Sequence, residues 1–155
     1  MKNENLVKSV MITLILLVSL SLYCETLALP PSNYEDEDAG SMDNPFLISN
    51  LANLRWLSEI PSYIAYFGKH FLQTADIDAS ETQYWNDGQG FKPIGSAGLI
   101  NPLEIGNDDL YFNLFSGKFN GNNHTISNLH IKAQQSYVVG LFGATVGASL
   151  KIYVL

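Results

Sequence analysis

The first feature along the chain is an uncharged apolar run close to its start. Val10 to Leu22 carries no charge, and Lys2 and Lys8 precede it with Glu4 as the only opposing charge. A helix needs roughly 20 apolar residues to cross a bilayer core, so this run is short for a span and suits the h-region of a signal peptide. Thr26-Leu27-Ala28 then offers small residues three and one positions before a cut, and Leu29-Pro30-Pro31 follows directly. Residues 1–28 therefore read as a signal peptide cleaved after Ala28, with an uncleaved anchor as the alternative. Tyr23 before Cys24 puts a bulky ring where a lipid-attachment site wants a small residue.

Beyond Ala28 the pattern changes twice. Residues 29–43 hold two prolines and the acid run Glu35-Asp36-Glu37-Asp38 but few apolar residues, which predicts a disordered acidic linker. Order is expected from Pro45-Phe46-Leu47-Ile48. Ser49 or Asn50 then caps a helix whose stripe is Leu51, Leu54, Leu57 and Trp56, and Pro61 ends it. From Phe71 onward the chain reads as short strands between turns. In Phe71–Asp78 the residues Phe71, Ala75 and Ile77 are expected on one face and Leu72, Thr74, Asp76 and Asp78 on the other. Phe91–Gly95, Phe115–Phe119 and Thr125–Ile131 follow, the last two joined by the turn-forming Asn120-Gly-Asn-Asn-His124. At the end, Leu150, Tyr153 and Leu155 are expected to face the core, leaving Ile152 and Val154 outside.

Composition narrows the classes. The net charge of −7 is unchanged by removing residues 1–28, which hold Lys2, Lys8, Glu4 and Glu25. Such a surface repels phosphate backbones and anionic lipids, which excludes a nucleic-acid binder. Cys24 is the sole cysteine, so the predicted mature chain holds no disulfide and depends on a hydrophobic core. Ile126, Leu129 and Ile131 reappear as Leu150, Tyr153 and Leu155 at a constant offset of 24, the kind of interval a solenoid rung produces.

The segments Phe119-Asn-Gly-Asn-Asn-His-Thr-Ile-Ser-Asn-Leu-His-Ile131, Val139-Gly-Leu-Phe-Gly143 and Gly147-Ala-Ser-Leu-Lys151 resemble the GLUG-motif family of bacterial secreted and surface proteins. Pro45–Ser49, Gln73–Asp78, Trp85 and Phe91–Gly95 fit the same pattern, so the resemblance covers residues 44–155. It implies a mainly β fold: an N-terminal helical cap on the first rungs of a right-handed parallel β-helix, with adhesin-like roles. Where the family's last strand reads Asn-Leu this chain has Ile152-Tyr153, and further rungs normally follow. The chain accordingly reads as the opening of a longer protein.

Candidate chemistry is sparse. Asp76 and Asp78 would share a face of a strand, as a carboxylate pair for acid/base work must, whereas Asp108 and Asp109 would point apart. Glu35 to Asp38 lacks the glycine turn of an EF-hand loop and reads as a solvated charge run. His70, His124 and His130 show no metal-ligand spacing, and neither Ser96 nor Ser116 lies in a nucleophile elbow. Gly117-Lys118 lacks the rest of a phosphate-binding loop. Asn123-His-Thr125 matches a glycosylation sequon. Tyr84, Trp85, Phe91, Tyr111, Phe112 and Phe115 could form a sugar-stacking surface, but core filling explains them more simply.

The resulting expectation names no catalytic, cofactor-binding or metal residue and no cofactor. It is a secreted or surface-displayed, non-enzymatic β-helix module for adhesion or surface structure, whose partner is a surface protein or glycan. Self-association through the open C-terminal strand is also expected, since that strand is β-prone with one charge and no proline. The rival expectation is the N-terminal piece of a larger secreted hydrolase or peptidase whose catalytic part lies elsewhere.

Overall fold

A computed structural model describes residues 5–13, 25–60, 66–99, 110–132 and 139–153. Residues 5–13 are helical (α1), and Leu6, Val7, Val10, Met11 and Ile12 on this helix are all more than half exposed. The first strand, β1 (Phe46–Ile48), leads into α2 (Leu51–Glu59). The Asn50 side chain accepts a hydrogen bond from the Asn53 amide at 2.9 Å, which satisfies one of the amides left open at a helix start. Leu54 and Leu57 are fully buried, as their spacing predicts, and the helix ends two residues before Pro61.

The strands that follow are short: β2 (His70–Gln73), β3 (Ile77–Asp78), β4 (Ser96–Leu99), β5 (Leu110–Asn113), β6 (Lys118–Asn120), β7 (Ile126–Ser127) and β8 (Ser149–Lys151). They form a parallel four-stranded sheet in the order β1-β2-β6-β8, a parallel β3-β7 pair and an antiparallel β4-β5 pair. In the largest sheet Phe46 lies beside Phe71, Phe71 beside Phe119, and Phe119 beside Leu150. Those rings, with Tyr66, Phe115, Ile48, Leu54, Leu57 and Ile126, make one contiguous core. Phe71 and Phe115 stand 5.7 Å apart and Phe46 and Phe71 5.5 Å apart, within the range of favourable ring pairs.

This arrangement corrects the expected right-handed parallel β-helix. Strands of two to four residues lie in three separate small sheets, one of them antiparallel, beside a nine-residue helix. No constant repeat relates them: neighbours in the large sheet are 25, 48 and 31 residues apart, read from Phe46, Phe71, Phe119 and Leu150. The offset of 24 between Ile126 and Leu150 is not a pairing, since Ile126 lies beside Ile77 and Leu150 beside Phe119. The physical reason lies in the connections, because α2 and the antiparallel β4-β5 pair occupy chain that a uniform coil would need for its next turn.

Three further expectations change. Residues 29–43 are not a disordered linker but a chain of turns docked on α2 and β1. Leu29 donates its amide to Ala52 O at 3.2 Å, and the Asn53 side chain donates to Leu29 O and Pro30 O at 3.1 Å each. The Asn120–His124 turn does not close a hairpin, because β6 pairs with β2 and β8 while β7 pairs with β3. Its Asn122 and Asn123 have φ of 49° and 63°, and the Asn120 carboxamide accepts from the Asn122 amide at 2.9 Å. At the end of the chain Ile152 packs on the core, while Tyr153 is 42% exposed and Leu150 38%, the reverse of the expected facing for Ile152 and Tyr153. Val154 and Leu155 lie outside the described residues.

Candidate functional site

The acid run supplies one wall of an open cleft. Tyr34, the one aromatic in residues 29–43, stacks on Phe46 at 5.8 Å and meets the Trp56 ring edge-on at 5.4 Å; Phe46 and Trp56 are 5.6 Å apart. Each ring comes from a different element: Tyr34 from the docked turns, Phe46 from β1 and Trp56 from α2. The cleft has a volume of about 740 Å³, with Asp36, Asp38 and Glu59 as its acids and Lys69 as its cation. Lys69 Nζ lies 5.7 Å from the Phe46 ring centre and donates to Ala39 O at 3.3 Å. Gly40 makes this packing possible: its φ is +79°, and a Cβ there would come within 2.4 Å of Phe46.

Two features hold the turn segment in place. The Asn33 carboxamide is buried, donates to Asn44 Oδ1 at 3.0 Å and to Pro45 O at 2.9 Å, and accepts from the Leu47 amide at 3.2 Å. On the far side of α2, residues 25–26 meet a polar knot around Glu81. Thr26 donates its amide and its hydroxyl to the two Glu81 oxygens, each at 2.6 Å, and Trp85 Nε1 donates to the same carboxylate at 2.9 Å. Burial raises the Glu81 pKa, but the donors from Thr26 and Trp85 and the charge of Arg55 outweigh it and leave the carboxyl below its ordinary range. Arg55 lies 4.6 Å from the Trp85 ring centre, and its guanidinium pairs with Glu25 at 2.9 Å and Glu59 at 2.7 Å.

The sequence-predicted candidates fall elsewhere. Asp76 and Asp78 sit near each other but each is consumed by a turn. Asp76 Oδ1 accepts from the Thr125 amide at 2.8 Å and lies 3.4 Å from His124 Nδ1. Asp78 accepts from Asn128 Nδ2 and the Ser80 amide, both at 3.0 Å. The Thr125 amide for Asp76, and Asn128 then Ser80 for Asp78, hold both carboxyls below their ordinary range, the direction opposite to that of a general acid. Asp108 and Asp109 lie outside the described residues, as do the side chains of Ser96, Tyr111 and Phe112.

The histidines stay apart in role. His124 lies against Asp76, the His130 amide donates to Thr82 Oγ1 at 2.9 Å, and His70 sits on the outer face of the large sheet beside Lys118. Among the described residues no three His, Cys, Asp or Glu side chains converge as metal ligands. Trp85, Phe91 and Phe115 are core residues and Tyr84 is exposed, so those four do not build a stacking surface. Sequence reasoning missed the Tyr34–Phe46–Trp56 cleft. The one available signal was a lone tyrosine, Tyr34, directly before the acid run Glu35 to Asp38.

Comparison with known proteins gives one clear similarity. Over 106 residues, 67% of this chain, it is 35% identical to Halomucin of Haloquadratum walsbyi. The match spans 1% of the length of that protein. No family model matches the chain, and no solved structure matches it. Among the described residues no helix is long and apolar enough to cross a membrane.

Proposed function

We propose that the protein is an exported, non-enzymatic module at the cell surface or in the surrounding medium, and that it takes part in adhesion or surface structure. The observation that carries this reading is the similarity to Halomucin, which supports a surface or secreted protein. The charged flank and apolar run of residues 1–22 support export as well. The GLUG-type segments belong to the same proposal, as an affinity of sequence without the coil expected from it.

The binding surface in this proposal is the cleft of Tyr34, Phe46 and Trp56, and its ligand is a glycan. The rings of Tyr34 and Trp56, seated on the buried Phe46, stack on the apolar faces of sugar rings, and the carboxylates of Asp36, Asp38 and Glu59 accept hydrogen bonds from sugar hydroxyls. The test has two arms. Protease treatment of intact cells removes the chain if it is displayed, and culture medium contains it if it is released; a chain found only inside cells overturns the reading. Immobilised neutral polysaccharide retains the exported protein, and Trp56→Ala lowers retention about tenfold, on the order of one stacking contact. Equal retention of the variant overturns the cleft as the binding surface while leaving the location intact.

A further inference from the structure

We propose that Glu25 to Ala28 remain in the mature protein as a structural strap, so that the leader is cut upstream of Glu25 and not after Ala28. The proposal rests on the exported reading above and concerns which residues survive export.

The contrast between two parts of residues 1–28 carries it. On α1 the apolar residues Leu6, Val7, Val10, Met11 and Ile12 bury little, each being 56–65% exposed. This is what a segment made for a membrane and then discarded looks like. Residues 25–26 behave as part of the fold. Glu25 reaches Arg55 at 2.9 Å and accepts from the Asn86 amide at 3.1 Å. Thr26 spends its amide and hydroxyl on Glu81 and its carbonyl on Arg55 Nη1, the last at 2.8 Å. Three residues distant in sequence (Arg55, Glu81 and Asn86) thus converge on two residues that a cut after Ala28 would remove.

Loss of those residues leaves specific groups without partners. Glu81 would keep only the Trp85 indole of its three donors, beside a guanidinium that had lost Glu25. A half-buried carboxylate stripped of donors is unfavourable, because it has given up water without replacing it. Ala28 also lines the Tyr34–Trp56 cleft, so the strap forms part of that wall. Processing is hydrolysis of one peptide bond: water adds across it, leaving a carboxylate on the leader and an α-ammonium on the strap side.

The test exploits Thr26→Ala, which keeps a small residue three positions before Ala28–Leu29 and so leaves that bond as cleavable as before. The full chain with its own leader is produced in a secreting host, and the exported product is read by intact mass, N-terminal sequencing and thermal melting. The expected wild-type product still contains Glu25. The exported Thr26→Ala product is expected to differ in mass by the substitution and to melt about 5 °C lower, while Thr26→Ser restores most of that loss. A wild-type product beginning at Leu29 overturns the proposal, as does an exported Thr26→Ala protein identical to wild type in mass and melting. N-terminal sequencing of the wild type decides the matter even if the variants fail to accumulate. A full-length exported chain keeps the strap but overturns the upstream cut, so the two parts of the proposal fail separately.

Discussion

The two edges of the parallel sheet are finished in opposite ways. At β1 the edge is closed by side chains: the Asn33 carboxamide takes the Leu47 amide, and Tyr34 covers the outer side of Phe46. At β8 nothing comparable follows among the described residues, and Ser149, Leu150 and Lys151 are all exposed. Both strands continue the same column, since Phe46, Phe71, Phe119 and Leu150 lie side by side, yet Phe46 is 7% exposed and Leu150 38%. Position in a column therefore does not decide burial; the next layer does. An edge strand with free backbone groups is a template for pairing, and among the described residues only the β1 edge carries such a cover.

The largest effect that would break this comparison is at its two ends. Phe46→Ala should cost about 3–5 kcal/mol, the usual range for deleting a buried phenylalanine, whereas Leu150→Ala should cost about 1 kcal/mol or less. Urea midpoints of the two variants measure both, and equal losses would show that β8 is covered in solution. Next in size is Asn33→Ala, which strands the Leu47 amide and removes two donated bonds; a loss of about 1–3 kcal/mol is expected in the same assay.

Smaller shifts sharpen the picture at β8. Ile152→Lys should destabilise by about 1 kcal/mol, limited because a lysine stem can reach out to water, and Leu150→Lys should leave stability nearly unchanged while reducing self-association. Sedimentation velocity across a concentration series reads the second effect. If Leu150→Lys associates as strongly as wild type, β8 is not the contact.

The smallest effect is one of pH. Folding depresses the Glu81 pKa, so its ionised form adds stability above the unfolded value of about 4.3, and that stability is lost as pH falls through the lower folded value. Glu81→Gln should therefore flatten the acid limb of a melting-temperature profile below about pH 4. A profile as steep as wild type would place the acid sensitivity in Asp76 and Asp78, whose carboxyls shift in the same direction.

The sequence by itself determined those features that need only near neighbours. An asparagine cap and a leucine stripe suffice for α2, because capping and one buried face involve residues three or four apart. The Asn120–His124 segment turns because asparagine and glycine tolerate left-handed backbone, wherever the flanking strands go. Phe71, Phe115 and Ile126 are core residues on hydrophobicity alone. What only the tertiary structure decided is which segments meet. Strand partners 25, 48 and 31 residues apart follow no period, since each depends on how the chain between them closes its loop. The acid run looked disordered because its four charges stay in water; Asn33 and Tyr34, one on a strand edge and one on a ring, anchor it from the same stretch. Glu25 and Thr26 read as the tail of a leader for the same reason, their partners Arg55 and Glu81 being 30 and 55 residues away. Local signals cannot register contacts of that span, because the free energy that selects them arises only when the distant groups are desolvated together.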